Sequence, residues 1–191
     1  MKRFIICGAS RAGKSLLAKT IQRELNITHL CGDSFVYAFK ENFPEIGISF
    51  DRTDYQHSST LFKNFVKSLL ESQNYHGIEY AFECDFLLPH QVLEVTEHIG
   101  KTPIVFLGYA DADPQEKLNE IRKHDPKENW WTAEQSDEKI LKHINSKMRE
   151  SLELRKECEK FGISYFDTGK DFDKSLQKAK QFLISSLEKI L

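Results

Sequence analysis

The chain lacks an excess of charge of either sign: 27 lysines and arginines stand against 29 aspartates and glutamates. A protein devoted to nucleic acid carries a basic face, and no basic block occurs here, so a nucleic-acid partner is not expected. Cysteine is scarce. Cys7, Cys31, Cys84 and Cys158 stand apart, none in a C-x-x-C pair, which argues against zinc and dithiol frameworks and for small buried thiols. The seven histidines show no ligand spacing and are taken as surface or packing residues. No apolar run approaches bilayer-spanning length, so no membrane partner is expected. The first apolar run begins at Phe4, which leaves no room for a signal or transit peptide and makes a cytoplasmic location the expectation. Repeats and low-complexity segments are missing too. A chain of 191 residues is expected to form a single domain, residues 1–191, large enough to bury a core.

What the chain does have stands near its start. Phe4, Ile5, Ile6 and Cys7 form a short apolar run that stops at Gly8, the pattern of a buried strand. Leu16, Leu17, Ile21 and Leu25 then recur at roughly helical spacing. Between them lies "GASRAGKS", Gly8 to Ser15. At such a junction the first backbone N–H groups of the helix lack internal partners, and the helix dipole is positive. An anion satisfies both. Glycines let the backbone wrap it, Lys14 adds a mobile cation, and the Ser15 hydroxyl can reach a metal ion. This is the phosphate-binding pattern G-x-x-x-x-G-K-[ST]. Gly8, Ala9, Ser10, Arg11, Ala12, Gly13, Lys14, Ser15 and Leu16 are the expected nucleotide-binding residues, with ATP and Mg²⁺ as cofactors.

Beyond the loop, strand and helix patterns alternate. Strands are expected near Thr28–Leu30, in "IEYAFECDFLLP", in "TPIVFLGYA" and in "ISYFD". Helices are expected near Phe35–Lys40, Tyr55–Ser72, from Pro89 to Gly100, within Asp111–Asp137, over Asp137–Lys160 and over Asp171–Ile190. Five strands alternating with helices imply an α/β domain with a parallel sheet covered on both faces. Ligands of such sheets bind beyond the carboxyl ends of the strands. The loop belongs there, and so do "GDSF", "ECDF", "YADADP" and "DTGKDF".

Several acidic residues thereby gather around one site. Asp33 can orient an attacking hydroxyl or accept its proton; it or Ser34 can also cap the following helix. Glu83 and Asp85, two apart at the end of the third strand, point to one face if the strand continues. With Ser15 they are candidate Mg²⁺ ligands, and they can also meet the substrate. Arginines are needed where charge builds up on the moving phosphoryl group. Arg11 lies in the loop and Arg52 in an irregular stretch where an acceptor can dock. Arg122 lies in a charged segment suited to a closing lid. Arg149 and Arg155 lie on the long helix, Arg155 on a stripe with Ile144, Met148 and Leu152. Arg122 is the first choice for a catalytic arginine and Arg149 the next.

"IICGASRAGKSLLAKTI", "CGDSF", "FECDFLLP" and the charged insert before a long helix resemble the P-loop kinases of the nucleoside monophosphate kinase and shikimate kinase type, within the P-loop nucleoside triphosphate hydrolase superfamily. The resemblance implies a three-layer α/β/α sandwich with strand order 2-3-1-4-5. It implies an acceptor-binding helical segment over about residues 35–72 and a lid over about 111–137. It also implies transfer of the γ-phosphoryl group of Mg-ATP to a small-molecule acceptor, with Lys14, Asp33, Arg122 and Arg149 as the catalytic set. The D-G-F-P-R of monophosphate kinases is replaced by "ECDFLLP", without an arginine, and the D-x-D of shikimate kinases is reduced to Asp33, so the acceptor does not carry over. Two other classes share the loop: a regulatory NTPase acting through a protein partner, and a kinase of nucleic-acid ends.

Overall fold

The computed structural model describes residues 1–50, 55–124, 132 and 134–190. Five strands, β1 (Arg3–Gly8), β2 (Thr28–Cys31), β3 (Tyr80–Cys84), β4 (Ile104–Gly108) and β5 (Ser164–Asp167), form one parallel sheet in the order β2-β3-β1-β4-β5. The helices are α1 (Lys14–Leu25), α2 (Gly32–Asn42), α3 (Tyr55–Tyr75), α4 (Pro89–Ile99), α5 (Pro114–His124), α6 (Asp137–Phe161) and α7 (Phe172–Glu188), with one 3₁₀ turn at Pro44–Ile46. Strand order and layers match the expectation.

The central strands are apolar on both faces, as a parallel sheet covered twice requires. Phe4, Ile6, Phe82, Val105 and Phe106 are fully buried. Helices α1 and α7 pack together on one side, while α3, α4 and α6 form the other layer. Pro89 supplies the first residue of α4, where its missing N–H costs nothing, and Gly100 ends the helix. Parallel register sets the carboxyl ends side by side: Cys7 opposite Cys84, Cys31 opposite Glu83, and Gly8 opposite Leu107. Three of the four thiols therefore gather along this edge. Burial pushes Cys7 and Cys84 far above the ordinary thiol range, so they are poor nucleophiles.

Two details differ from the sequence reading. Helix α2 starts at Gly32 with Cys31 as its cap residue and no side-chain cap bond, so Asp33 lies inside the first turn instead of before it. The buried face of α6 runs through Ile140, Ile144, Lys147, Ser151, Leu154 and Cys158, while Leu152 is exposed. The stripe is rotated, so that Lys147, with a glutamate three residues on, belongs to the buried face.

Candidate active site

Strand β1 hands the chain to α1 through residues 9–13. Gly8 has φ +130°, and a Cβ there would lie 1.9 Å from the Leu107 carbonyl oxygen, so no other residue fits. The Ala9 N–H donates to that same oxygen at 2.9 Å, locking the loop onto β4. Gly13, at φ 96°, precedes α1, which has no side-chain cap and no acidic residue in its first turn. That is the positive helix end an anion needs. Lys14 is buried and folds back to donate to the Ala9 carbonyl at 3.0 Å, arching over the loop.

The two carboxylates after β3 part company. The strand stops at Cys84, and the Phe86 N–H donates to the Cys84 sulfur, so the chain turns and the two-residue alternation no longer holds. Glu83, only 1% exposed, accepts from the Ser15 hydroxyl at 3.1 Å, with His29 Nε2 3.5 Å away. Asp85 instead hydrogen-bonds Asp33. Burial and then the Asp85 charge push the Asp33 carboxyl up to about 7, against the opposing pull of Lys14. Asp33 Oδ1 is buried and has no hydrogen-bond partner.

Two cavities meet at this pair. One, of 640 Å³, runs from the phosphate loop past Asp33 to Lys117 and Phe172. The other, of 580 Å³, is bordered by Asp85, Phe50 and the α6 residues His143, Ser146, Lys147 and Glu150. Ser10 lines both. Each is within the roughly 300–1,000 Å³ of small-molecule sites.

Sequence reasoning looked for arginines; the buried cations here are lysines. Lys117, 3% exposed, bonds Glu120 at 3.0 Å and lies over the Tyr109 and Phe172 rings at 4.9 and 5.1 Å. Lys147 is buried and bonds Glu150 at 2.6 Å. The signal was the lysine on an apolar helical stripe with a glutamate three residues later. Arg11 borders the first cavity. Arg122 is engaged elsewhere: its guanidinium donates to Asp137 Oδ1 at 2.7 and 3.0 Å and to the carbonyls of Gln135 and Thr132, tying α5 to the start of α6. Arg149 is exposed and borders a separate hollow with Met148 and Asn145. Arg155 pairs with Asp111 and Asp167 across the Tyr165 ring. Arg52 lies outside the described residues.

Among the described residues, no group of three or more histidine, cysteine, aspartate or glutamate side chains is arranged to hold a metal alone. The donor set suits Mg²⁺ nonetheless. That ion takes one or two protein oxygens and completes its shell with phosphate and water. The Ser15 hydroxyl backed by Glu83, with the unpartnered Asp33 oxygen nearby in the same cluster, is such a set.

No protein-family model matches the chain, and no curated protein matches it by sequence. Solved structures do match in fold. A gluconokinase from Sinorhizobium meliloti 1021 superposes with a TM-score of 0.62 at 15% identity, over 99% of this chain and 95% of that one. A shikimate kinase from Bacteroides thetaiotaomicron gives 0.61 at 17% identity, over 98% of each chain. Sheet order and layer arrangement give this chain the fold of these gluconokinase and shikimate kinase structures.

Proposed function

We propose that the protein is a small-molecule kinase that transfers the γ-phosphoryl group of Mg-ATP. The observation that carries this reading is the Asp33–Asp85 pair, which stands where the phosphate-loop cavity adjoins a second cavity of acceptor size. A regulatory NTPase needs the first cavity only.

In this reading the loop amides and Lys14 hold the β- and γ-phosphates. Lys14 exchanges the Ala9 carbonyl for phosphate oxygens, replacing a neutral acceptor with a charged one. Ser15 and, behind it, Glu83 would hold Mg²⁺, which when bound would supply positive charge against the phosphates. The acceptor hydroxyl lies on the Asp85 side. As its oxygen forms the new bond to phosphorus, its proton passes to the carboxylate pair. The bond from phosphorus to the β–γ bridging oxygen breaks, and its electrons stay on ADP. Asp33, beside Asp85, is the second seat for that proton. Lys117 and Arg11 border the nucleotide cavity and supply positive charge to the transferring group. The segment over about residues 111–137 acts as the lid, with α5 carrying Lys117.

The test is ADP release with and without acceptor candidates. Stimulation over the no-acceptor rate, lost in Lys14→Ala and strongly reduced in Asp85→Asn, is expected. Hydrolysis that no acceptor accelerates, and that Asp85→Asn leaves unchanged, would assign the protein to the regulatory NTPases.

A further inference from the structure

The kinase reading leaves Arg155 without a task, yet its guanidinium joins two connections that leave the carboxyl end of the sheet. Nη1 donates to Asp111 Oδ1 at 3.1 Å, and Nη2 lies 3.1 Å from Asp111 Oδ2. Nη2 also donates to Oδ2 of Asp167, the last residue of β5. The group lies over the Tyr165 ring at 5.2 Å. Asp167 in turn gathers both connections: Oδ2 accepts from the Asp111 N–H at 3.4 Å, and Oδ1 from the Gly169 N–H at 2.9 Å. The connections also meet directly. The Thr168 N–H donates to the Gly108 carbonyl at 2.7 Å, and a Cβ on Gly169 would lie 2.6 Å from the Ala112 nitrogen. Arg155, on α6, therefore ties together two segments that belong to neither its own helix nor each other.

Both segments lead into the first cavity. The one after β4 runs into α5, which brings Lys117 and Ile121 to the lining; the one after β5 ends at Phe172, the first residue of α7. Phe172 stands next to the phosphate loop, since a Cβ on Gly13 would lie 3.0 Å from its ring. Lys117 Nζ is 5.1 Å from the centre of the same ring. The aromatic and aliphatic parts of this wall, Phe172 and Ile121, thus come one from each tied segment. Loop amides and Lys14 suffice for phosphates, whereas a nucleobase stacks on aromatic and apolar side chains. Arg155 itself does not line the cavity.

Resting on the nucleotide half of the kinase reading, we infer that Arg155 is a positioning residue for nucleobase binding: by tying Asp111 to Asp167 it fixes the spacing of Ile121 and Phe172, against which the base packs. Calorimetry on the full chain with Mg²⁺ compares a non-hydrolysable ATP analogue with inorganic tripolyphosphate, which keeps the phosphates and lacks the base. Arg155→Ala should weaken the analogue about fivefold or more, the scale of one lost base–aromatic contact, and leave tripolyphosphate within about twofold. Phe172→Ala should weaken the analogue likewise. The double variant should lose clearly less than the product of the two single effects, because a tie that acts through the ring has nothing left to position. If Arg155→Ala does not fold, Arg155→Lys carries the same expectations, since it keeps the charge without the fork that spans two carboxylates.

A lower Tm with both affinities unchanged at a temperature where the variant is folded would make Arg155 a stability residue only, and overturns the inference. Equal weakening of analogue and tripolyphosphate overturns it too, as does a double variant that loses the full product. Failure of the kinase reading has a different signature: the analogue binds with its dependence on Arg155 intact, yet no acceptor stimulates ADP release.

Discussion

Asp33→Asn should make the protein more stable and less active at once. Asp33 is held near an ordinary value of 3.8 in the unfolded chain but at about 7 in the fold. The sign follows from linkage. A carboxyl whose folded value is raised contributes fully below 3.8, and its contribution is lost as pH rises through about 7. At pH 8 the unliganded fold therefore bears the cost of a buried negative charge at Asp33, with Asp85 beside it. Linkage at about 1.4 kcal/mol per pH unit sets a ceiling of roughly 4 kcal/mol. Two effects reduce it: proton sharing with Asp85, and loss of a favourable acidic group in the first turn of α2, worth about 0.3–1 kcal/mol. An asparagine of the same shape should then recover about 1–3 kcal/mol. For a domain of this size that is a Tm increase of roughly 2–10 °C. The assay is thermal unfolding followed by circular dichroism, without Mg²⁺ or nucleotide, at pH 4.5 and pH 8. The increase should be present at pH 8 and should shrink toward zero at pH 4.5. A variant that is destabilised at pH 8, or equally shifted at both values, would refute the burial and the neighbouring Asp85 charge as the causes that raise Asp33.

The other expectations concern the loop and the lysines. Lys14→Ala should keep its fold and lose at least about 10²-fold in turnover, with ATP affinity reduced in calorimetry, because a phosphate contact is removed. Gly8→Ala should fail to give folded protein, since its Cβ would overlap the Leu107 carbonyl at 1.9 Å; native-like near-ultraviolet dichroism would contradict this. Lys117→Ala should reduce kcat more than it alters ATP affinity, whereas Arg122→Ala should leave kcat within about threefold and cost about 1 kcal/mol of stability. Steady-state kinetics beside thermal melts separate the two, and the reverse pattern would return the catalytic cation to Arg122.

Much of the fold was legible because its signals are local. The run Phe4–Cys7, the glycines at 8 and 13 and the apolar stripe of α1 each obey one rule, and the alternation of strands and helices fixes the layers. The site was legible only where a motif dictates backbone geometry. Glu83 and Asp85 illustrate the limit: they are two apart, yet one bonds Ser15 and the other Asp33, because the strand ends between them at Cys84. Whether a strand continues by one residue is decided by tertiary packing. The cationic residues show the same limit from another side. Arginine is the usual partner of phosphate, so Arg122 and Arg149 stood out, while Lys117 and Lys147 were passed over. Their burial depends on how α5 packs on α6 and α6 on β4 and β5, which the lysine–glutamate spacing alone does not fix.

Phosphorus NMR of the wild-type protein with Mg-ATP and a panel of small hydroxyl-bearing acceptor candidates tests the central claim most directly, because it follows the fate of the γ-phosphoryl group itself. A new phosphomonoester resonance should grow in step with ADP, with little inorganic phosphate, and should vanish in Lys14→Ala. ADP accompanied only by inorganic phosphate, at a rate that no acceptor candidate raises and that Asp85→Asn leaves unchanged, would contradict transfer at the junction of the two cavities.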